Sequence, residues 1–241
     1  GETIDTLEAV KYAKNRGAKC LAIINVKGSS IARESDYVLY TNAGPEIAVA
    51  STKAYTTQLA VFYLIVARMA HSRGVFDDAQ TQSFVRELQR TPEVMKKVLE
   101  RRRDIHVVAK KVLGAKDLFM IGRGLDYSIL LEGSLKLKEV SYIHSEAYAA
   151  GEVKHGTISL IEDGTLVVAL ASWHTLFDKL MSNVKEVKAR GAEVLAVAFK
   201  GNGKIISLAD DMIFVPKIDP LLCAVAEIVP LQLLAYYVAK E

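Results

Sequence analysis

The stretch AKNRGAKCLAIINVKGSSIARESDYVLY, residues 13–40, has a second copy in VKARGAEVLAVAFKGNGKIISLADDMIF, residues 187–214. Arg16 falls on Arg190, an offset of 174 residues, and the alignment continues beyond this stretch without a gap. A self-similar segment of this kind indicates a duplicated structural unit. The chain therefore carries two copies of one unit, and the fold must explain both.

Each copy reads as alternating strands and helices. The strands are short, continuous apolar runs, and amphipathic helical stretches separate them. Continuous rather than alternating apolar strands are typical of a parallel sheet covered on both faces. The sequence therefore predicts an α/β fold with two domains, each a parallel sheet flanked by helices. The clearest strands are predicted at residues 20–26, 37–41, 118–121, 166–171, 193–199 and 212–215.

The two copies differ in how much precedes the shared part. In the second copy a strand, a helix and a strand at 118–171 come first, whereas Gly1 already falls on Thr175. A sheet without its central strands would expose apolar surface and unpaired edges. We therefore expect the first domain to be truncated at its N-terminal side, with the central strands supplied by upstream sequence or by another chain.

The domain organisation follows from the repeat. Residues 1–76 are predicted to form a partial first domain, and residues 114–241 a second domain. Residues 77–113 are polar and helical and are predicted to connect them. Because proline fits the first turn of a helix and Thr91 can cap it, we expect the connector to break near Thr91-Pro92.

Composition excludes several classes of protein. The 241 residues are 51% hydrophobic and 24% charged, with a net charge of +3. That charge is too small to indicate a nucleic-acid partner. The sequence shows no signal peptide. It also shows no uncharged apolar run that approaches roughly 18 residues, the length of a membrane span. We therefore expect a cytoplasmic protein with no membrane partner.

The cysteines and histidines do not suggest a metal site. Cys20 and Cys223 are the only cysteines, and both lie in apolar runs. A buried thiol is therefore expected at each position in preference to a disulfide or a metal ligand. The five histidines have no close histidine or cysteine partners. No metal is predicted.

Titratable side chains concentrate in EGSLKLKEVSYIHSEAYAAGEVKHG, residues 132–156. Glu132, Lys136 and Glu139 follow at i, i+4 and i+7, so they share one face of a predicted helix. One interpretation is a solvated stripe with an ordinary Glu–Lys pair. The other is a proton-transfer site in which Glu139 is the base and the lysine tunes it. Spacing alone leaves both open.

Four segments together resemble a known family. They resemble the isomerase region of the glutamine:fructose-6-phosphate aminotransferases, or glucosamine-6-phosphate synthases, over essentially the whole chain. The resemblance implies two sugar-isomerase (SIS) domains, each with a five-stranded parallel sheet. The segments are GET at 1–3, GPEIAVASTKAYTTQL at 44–59, GRGLDYSILLEGSLKLKEVSYIHSEAYAAGEVKHG at 122–156 and VPLQLLAYYVA at 229–239.

The resemblance implies conversion of fructose 6-phosphate and ammonia into glucosamine 6-phosphate. Glu139 would be the base that moves a proton between sugar carbons 1 and 2, and an apolar environment can raise a carboxylate pKa toward neutrality for this task. Lys136 would support it and contact sugar hydroxyls. His155 would open the ring, acting from a neighbouring subunit, so a homodimer is implied. On the residues alone, His155 could equally be an ordinary hydrogen-bonding histidine.

The resemblance also implies a phosphate site in the first copy. Gly1 and Thr3 match the end of the family's phosphate loop, where a hydroxyl and free backbone N–H groups at a helix start suit a dianion. On the residues alone, Thr3 could be only a helix cap. Val49 matches a loop that contacts the sugar through backbone groups. Because residues 175–177 of the second copy are Thr-Leu-Phe, we expect one phosphate site per chain.

Some parts of the family pattern fall outside these residues. The glutaminase domain that supplies ammonia, normally on the same polypeptide, would precede Gly1, and the lysine that forms the Schiff base would follow Glu241. No cofactor is implied. Two other readings are a related SIS deglycase acting on phosphorylated sugar amines and a non-catalytic SIS module that senses a sugar phosphate. A sensor would not need Glu139 or His155.

Overall fold

The computed structural model describes all residues from 1 to 241, which divide into two compact units. Unit 1 comprises residues Gly1–Leu88 and unit 2 comprises Gln89–Glu241. One long helix, α4, begins in unit 1 and ends in unit 2.

Unit 1 is built on a small parallel sheet of two strands. Strand β1 pairs with β2 in register, Leu21 opposite Tyr37. Its core is small and consists of Ala22, Ile24 and Ile31 with the side chains packed around them. In chain order the elements are α1 (Ile4–Asn15), β1 (Leu21–Ile24), α2 (Ser30–Glu34), β2 (Tyr37–Tyr40), α3 (Lys53–Ser72) and the start of α4 (Asp78–Glu100).

Unit 2 contains a five-stranded, entirely parallel sheet in the order β4-β3-β5-β6-β7. This confirms the α/β fold class and the five-stranded sheet that the resemblance implied. After α4 the elements are α5 (Arg102–Val112), β3 (Asp117–Gly122), α6 (Leu125–Ser141), β4 (His144–Ala149), β5 (Leu166–Ala171), α7 (Phe177–Lys188), β6 (Glu193–Phe199), α8 (Gly203–Ile206), β7 (Asp211–Val215) and α9 (Cys223–Lys240).

Helices cover both faces of the unit 2 sheet. All six residues of β5, at the centre of the sheet, are buried. Alternate side chains of this strand, such as Val167 and Ala169, pack with Leu180 and Val184 of α7. Helix α9 packs against both α5 and α6, and all three helices contact strands of the sheet. Continuous apolar strands thus have the two-sided burial that their sequences predict.

The repeat is visible in equivalent hydrogen bonds. In unit 1, Asp36 Oδ2 accepts the backbone N–H of Cys20 at 2.9 Å. In unit 2, Asp210 Oδ2 accepts the backbone N–H of Val194 at 2.7 Å. These residue pairs are related by the same offset as the sequences. One carboxylate therefore ties the start of one strand to the turn before the next in both copies.

Equivalent core positions differ in burial between the copies. Leu195 in β6 is 2% exposed, whereas its counterpart Leu21 in β1 is 50% exposed. Strand β6 lies between β5 and β7, but β1 has only β2 as a neighbour. Within these residues Leu21 is half-exposed because β1 has a neighbouring strand on one side only, whereas Leu195 is covered on both sides.

Helix α4 runs through Pro92 instead of breaking there, so the predicted interruption at Thr91-Pro92 is wrong. The break lies at Arg101, between α4 and α5. Proline costs a helix one N–H donor and about 3 kcal/mol. Burial along one stripe of the helix offsets that cost; its members are Phe84, Leu88, Thr91, Val94 and Val98. The helix start is secured by Asp77 and Gln80, whose side chains accept each other's backbone N–H groups at 2.7 and 2.9 Å.

Two further features differ from the sequence expectations. Strand β4 was not predicted, because HSEAYA at residues 144–149 has no continuous apolar run. It lies at the edge of the sheet, where it has a neighbouring strand on one side only, so fewer of its side chains must be apolar. Cys223 is buried as expected, but Cys20 is only partly buried.

Helix α9 and the short helix before it, Pro220–Lys240, have the length and apolar composition of a membrane span. However, 72% of the apolar window is buried inside the protein. Gly133 of α6 allows close approach to this helix, since a Cβ there would lie 2.7 Å from Leu231. Helix α9 is thus the central core helix of unit 2.

Candidate functional site

Helix α6 carries the acidic and basic residues singled out in the sequence, and glycine sets its beginning. Gly124 precedes the helix with a φ of 60°. A Cβ at this position would lie 2.8 Å from the Trp173 ring, so both conformation and space require glycine. The chain can therefore turn sharply from the end of β3 into α6.

Helix α6 is also fixed to the edge strand β4 by a reciprocal pair of serines. Ser134 Oγ donates to the carbonyl of Ser145 at 2.8 Å, and Ser145 Oγ donates to the carbonyl of Ser134 at 3.0 Å. Both side chains are buried. Buried hydrogen bonds of this kind are costly to break, so α6 has little freedom to slide along β4.

Glu132, Lys136 and Glu139 form a compact cluster on α6. Lys136 Nζ lies 3.5 Å from Glu132 Oε1 and forms a second ion pair with Glu139 Oε2. The lysine side chain is only 5% exposed, against 15% for Glu132 and 35% for Glu139. A solvated stripe would leave the ammonium in water. The face is therefore not a solvated stripe but a partly buried group of interacting charges, and the role of Glu139 as a base stays a prediction.

The electrostatics of the cluster suit proton transfer. Burial raises the pKa of Glu132, and the neighbouring Lys136 ammonium opposes that rise. Glu139 is the more accessible of the two carboxylates and shares the same ammonium. A carboxylate that is partly desolvated but faces an ammonium can accept a proton and release it again.

His155 lies in a short 3-10 helix, Val153–His155, that follows β4. Its side chain is exposed, and its ring makes no hydrogen bond or ion pair within the protein. The structure thus does not join His155 to the Lys136 cluster of its own chain. It leaves the imidazole free to meet another molecule.

Arg123 holds the segment that leads to His155. Its Nε and a terminal nitrogen donate to Asn183 Oδ1 at 3.0 and 2.8 Å. Its guanidinium lies against Gly151, where a Cβ would be 2.7 Å from a guanidinium nitrogen. Asn183 in turn donates to Glu186 at 2.9 Å. Sequence reasoning did not identify Arg123, although its place in GRG at the end of β3 was a usable signal.

His144 and Glu146 belong to a different cluster from Glu139. His144 Nδ1 lies 2.8 Å from Asp117 Oδ1, and its Nε2 lies 3.5 Å from Glu146 Oε1. Glu146 also accepts a hydrogen bond from Tyr148. These groups lie along strand β4 and the beginning of β3. The density of charged residues in 132–156 therefore reflects two separate clusters.

In unit 1, Gly1 and Thr3 stand at the start of α1. Thr3 occupies the N-cap position, but its side chain makes no capping hydrogen bond. A simple cap would use that hydroxyl, so the alternative that Thr3 serves only as a cap is not favoured. The Gly1 carbonyl accepts from Ile31, and Glu2 accepts from Ser30 at 3.0 Å. These bonds hold the segment against the loop before α2.

Val49 lies in the loop before α3 and is fully exposed. Glu46 organises this loop, because its carboxylate accepts from the N–H of Thr52 at 2.8 Å and from the hydroxyl of Ser51 at 3.2 Å. Burial alone would raise the pKa of Glu46, but the backbone N–H groups of Thr52 and Ala54 hold it below its ordinary value. The N–H and carbonyl of Val49 make no hydrogen bond in the protein. They are available to a ligand, and Glu46 is a second residue that sequence reasoning missed.

A cleft of about 1050 Å³ connects these two segments of unit 1. Gly1 and Thr3 line one part of it, and Glu46 and Ser51 line another. It lies beside β1, whose residues form much of its wall. Its polar lining includes Glu46, Ser51 and the start of α1, and much of the rest is apolar, from β1 and from Phe62 and Ile65 of α3.

Similarities to known proteins extend over both units. A family model for the SIS domain matches residues 1–68 and 111–240. A glutamine–fructose-6-phosphate aminotransferase (isomerizing) of Caldanaerobacter subterraneus subsp. tengcongensis is 52% identical over 241 residues. One of the same name from Thermus thermophilus is 48% identical over 239 residues. The chain aligns over 100% and 99% of its length, respectively, and spans 40% of the length of each relative.

A solved structure agrees with the sequence relatives. The C-terminal domain of glucosamine-fructose-6-phosphate aminotransferase from Francisella tularensis matches with a TM-score of 0.92 and 37% identity. The match covers 99% of this chain and 68% of that one. Together with the duplicated parallel α/β unit and the residues matched by the family model, this similarity leads to one conclusion. The chain belongs to the SIS-domain family.

Proposed function

We propose that this chain is the isomerase region of an enzyme that converts fructose 6-phosphate and ammonia into glucosamine 6-phosphate. The observation that carries the proposal is the Glu132–Lys136–Glu139 cluster on α6, with its buried ammonium between two carboxylates. The similarity of the whole chain to proteins named for this reaction supports the same choice of substrate.

In unit 2, Glu139 is the base that moves a proton between carbons 1 and 2 of the sugar. Proton abstraction next to a carbonyl or imine needs a base with a pKa near the working pH. Lys136 forms an ion pair with that carboxylate, and its ammonium can donate hydrogen bonds to sugar hydroxyls. His155 opens the ring, because an imidazole can both donate and accept a proton.

In unit 1, Gly1, Thr3 and the backbone of Val49 bind the phosphorylated sugar. The Thr3 hydroxyl is free of a capping bond, and it lies at the positive end of a helix dipole, where a phosphate dianion is stabilised. Val49 supplies unpaired backbone groups to sugar hydroxyls. In the second copy, Leu176 and Phe177 occupy the places of Glu2 and Thr3, so one phosphate site per chain is proposed.

The complete protein works in the cytoplasm as a homodimer in this proposal. The exposed, unpartnered ring of His155 supports this arrangement, because the histidine then serves the site of the neighbouring subunit. A glutaminase domain on the same polypeptide supplies the ammonia. The relatives named for this reaction are longer than this chain, which leaves room for such a domain.

The proposal is tested in the complete polypeptide by comparing Glu139→Gln with Glu162→Gln. Glu162 is exposed, and its side chain makes no ion pair or hydrogen bond, so it serves as a matched control. Loss of a general base typically lowers the rate about 10²–10⁴-fold. We expect that loss in isomerisation of fructose 6-phosphate for Glu139→Gln, with binding of the sugar phosphate retained.

Two outcomes would contradict parts of the proposal. Normal isomerisation by Glu139→Gln would remove Glu139 from the role of base. Tight binding of fructose 6-phosphate without any turnover by the unsubstituted protein would indicate the sensor module. Incorporation of deuterium from solvent at carbon 1 or 2 separates these cases, because a sensor has no reason to exchange that proton.

A further inference from the structure

A second polar cluster lies inside unit 2, away from the Lys136 group. It forms where the end of β5 meets the first turns of α6 and α9. Its members are Asp126 of α6, Ser172 after β5, and Cys223 and Glu227 of α9. All four side chains are buried, with exposures of 5% or less. The site proposed above uses none of them.

Asp126 is the well-satisfied member of this cluster. Its carboxylate accepts from the N–H of Ser172 at 3.0 Å, from the Ser172 hydroxyl at 2.6 Å and from the N–H of Trp173 at 3.0 Å. Burial raises its pKa to about 6 despite these donors. These hydrogen bonds fix the carboxylate at the bottom of the cluster.

Glu227 is buried beside the Ser172 hydroxyl and the Cys223 thiol. It is 0% exposed, and neither Oε1 nor Oε2 makes a hydrogen bond. Burial and the nearby Asp126 carboxylate raise its pKa to about 8. Buried carboxylates in proteins are normally paired or bound to a metal. A buried glutamate whose two carboxylate oxygens both lack a hydrogen bond therefore points to a ligand or ion that completes its environment.

Cys223 stands one helical turn before Glu227, so thiol and carboxylate face the same way. One ligand atom from each of Asp126, Cys223 and Glu227 lies within 4.8 Å of the others. Ligand atoms around tetrahedral zinc lie about 3.5 Å apart, which small side-chain rotations can reach. Two ligands spaced i,i+4 on one helix and a third from another helix are an effective way to hold a metal.

We propose that Asp126, Cys223 and Glu227 bind a divalent transition-metal ion of the Zn²⁺ class. One thiolate and two carboxylate oxygens favour a borderline ion over Mg²⁺ or Ca²⁺, which prefer oxygen ligands alone. The Ser172 hydroxyl or a water molecule completes four-coordination. The ion gives Glu227 its missing partner and ties α6 to α9, the two helices that pack closely at Gly133. Its role is structural.

Cobalt is the probe for the test, because a Co²⁺–thiolate bond gives a charge-transfer absorption in the near ultraviolet that carboxylates do not. The metal-free protein, prepared with a chelator, is titrated with Co²⁺ and then with Zn²⁺. We expect about one ion per chain, the thiolate band, and displacement of Co²⁺ by Zn²⁺. At a hundredfold excess over the Kd, Zn²⁺ should raise the Tm by about 5–10 °C.

Three variants locate the ion. Cys223→Ser should abolish the thiolate band, and Glu227→Gln should weaken Co²⁺ binding at least about tenfold. Glu227→Gln replaces a buried acid by a neutral group of the same shape, so the fold should survive, and circular dichroism confirms it. Cys20→Ser is the matched control, because Cys20 is the other free cysteine and lies in unit 1. It should bind Co²⁺ as the unsubstituted chain does.

Two results would overturn the proposal. The first is the absence of saturable Co²⁺ or Zn²⁺ binding, which would mean that Glu227 and Asp126 share a proton instead. The second is a thiolate band that survives Cys223→Ser but disappears with Cys20→Ser. Neither result bears on the sugar-phosphate reaction, because none of these residues belongs to the proposed active site.

Discussion

Replacing Lys136 by methionine tests whether its buried ammonium controls the carboxylates of α6. Methionine keeps most of the apolar stem but removes the charge between Glu132 and Glu139. The substitution leaves two carboxylates facing each other, and Glu132 is only 15% exposed. At neutral pH, either one of the two carboxylates binds a proton or the two negative charges repel each other.

The magnitude follows from burial and distance. A charge pair 3.5 Å apart gains roughly 4–5 kcal/mol at an effective dielectric constant near 20, before desolvation is subtracted. Removing one partner of a buried pair costs about 3–5 kcal/mol. Because Glu139 is 35% exposed, water screens part of the effect. We therefore expect a loss near the lower limit, about 3 kcal/mol, which lowers the Tm of a domain this size by about 6–12 °C.

The loss should depend on pH in a defined direction. Without Lys136, the pKa of Glu132 rises further above its ordinary value, whereas the unfolded chain keeps the ordinary value. A carboxyl with a raised folded pKa stabilises the folded state at low pH, and that stability is lost as pH rises through the folded value. The deficit of Lys136→Met should therefore be small at pH 5 and largest at pH 8.

The assay is urea unfolding followed by tryptophan fluorescence. Trp173 is the only tryptophan, and it lies in unit 2 with α6. Lys138→Met is the matched control, since Lys138 lies two residues further on, is exposed and makes no ion pair. If the two variants differ by less than about 0.5 kcal/mol at pH 8, Lys136 does not act as a buried counter-ion, and the reasoning for the cluster fails.

Three further outcomes are expected. Leu195→Ala should destabilise its strand by about 3–4 kcal/mol, and Leu21→Ala at the equivalent position by about 1 kcal/mol, measured by hydrogen exchange of each strand. Glu46→Gln should speed hydrogen exchange in residues 51–54. Because the pKa of Glu46 is lowered in the folded protein, the loop of the unsubstituted protein should also loosen when the pH falls through that folded-state pKa. Arg123→Lys should lower kcat about tenfold in the complete enzyme and increase exchange in the segment before His155.

Much of the fold followed from the sequence because burial on two sides leaves a strong pattern. Strand β5 is buried at every residue and was predicted with its observed limits, Leu166–Ala171. The ungapped repeat predicted two copies of one α/β unit, and in the structure β1 pairs with β2 as β6 pairs with β7. A parallel strand that is buried on both faces is apolar at nearly every residue, so its own sequence predicts it.

The elements that sequence reasoning missed depend on neighbours far away in the chain. Strand β4 forms because β3 offers it a parallel partner, and its own residues carry little apolar pattern. Arg123 and Asn183 are 60 positions apart, and no local spacing joins them. Cys223 and Glu227 read as one apolar turn of a core helix until Asp126 is placed beside them. Pairwise contacts between distant elements leave no periodicity in the sequence.

The two copies show how one scaffold can carry different chemistry. The carboxylates of Asp36 and Asp210 make the same strand-to-turn hydrogen bond in both copies, so the framework of the repeat is retained. At the helix start the copies diverge: Thr3 leaves a hydroxyl without a capping bond, whereas Phe177 packs against the hydrophobic core of unit 2. An apolar side chain packed in this way stabilises its domain but cannot bind an anion. The first copy keeps a hydroxyl at this position, so the proposed phosphate site can form in the first copy and not in the second.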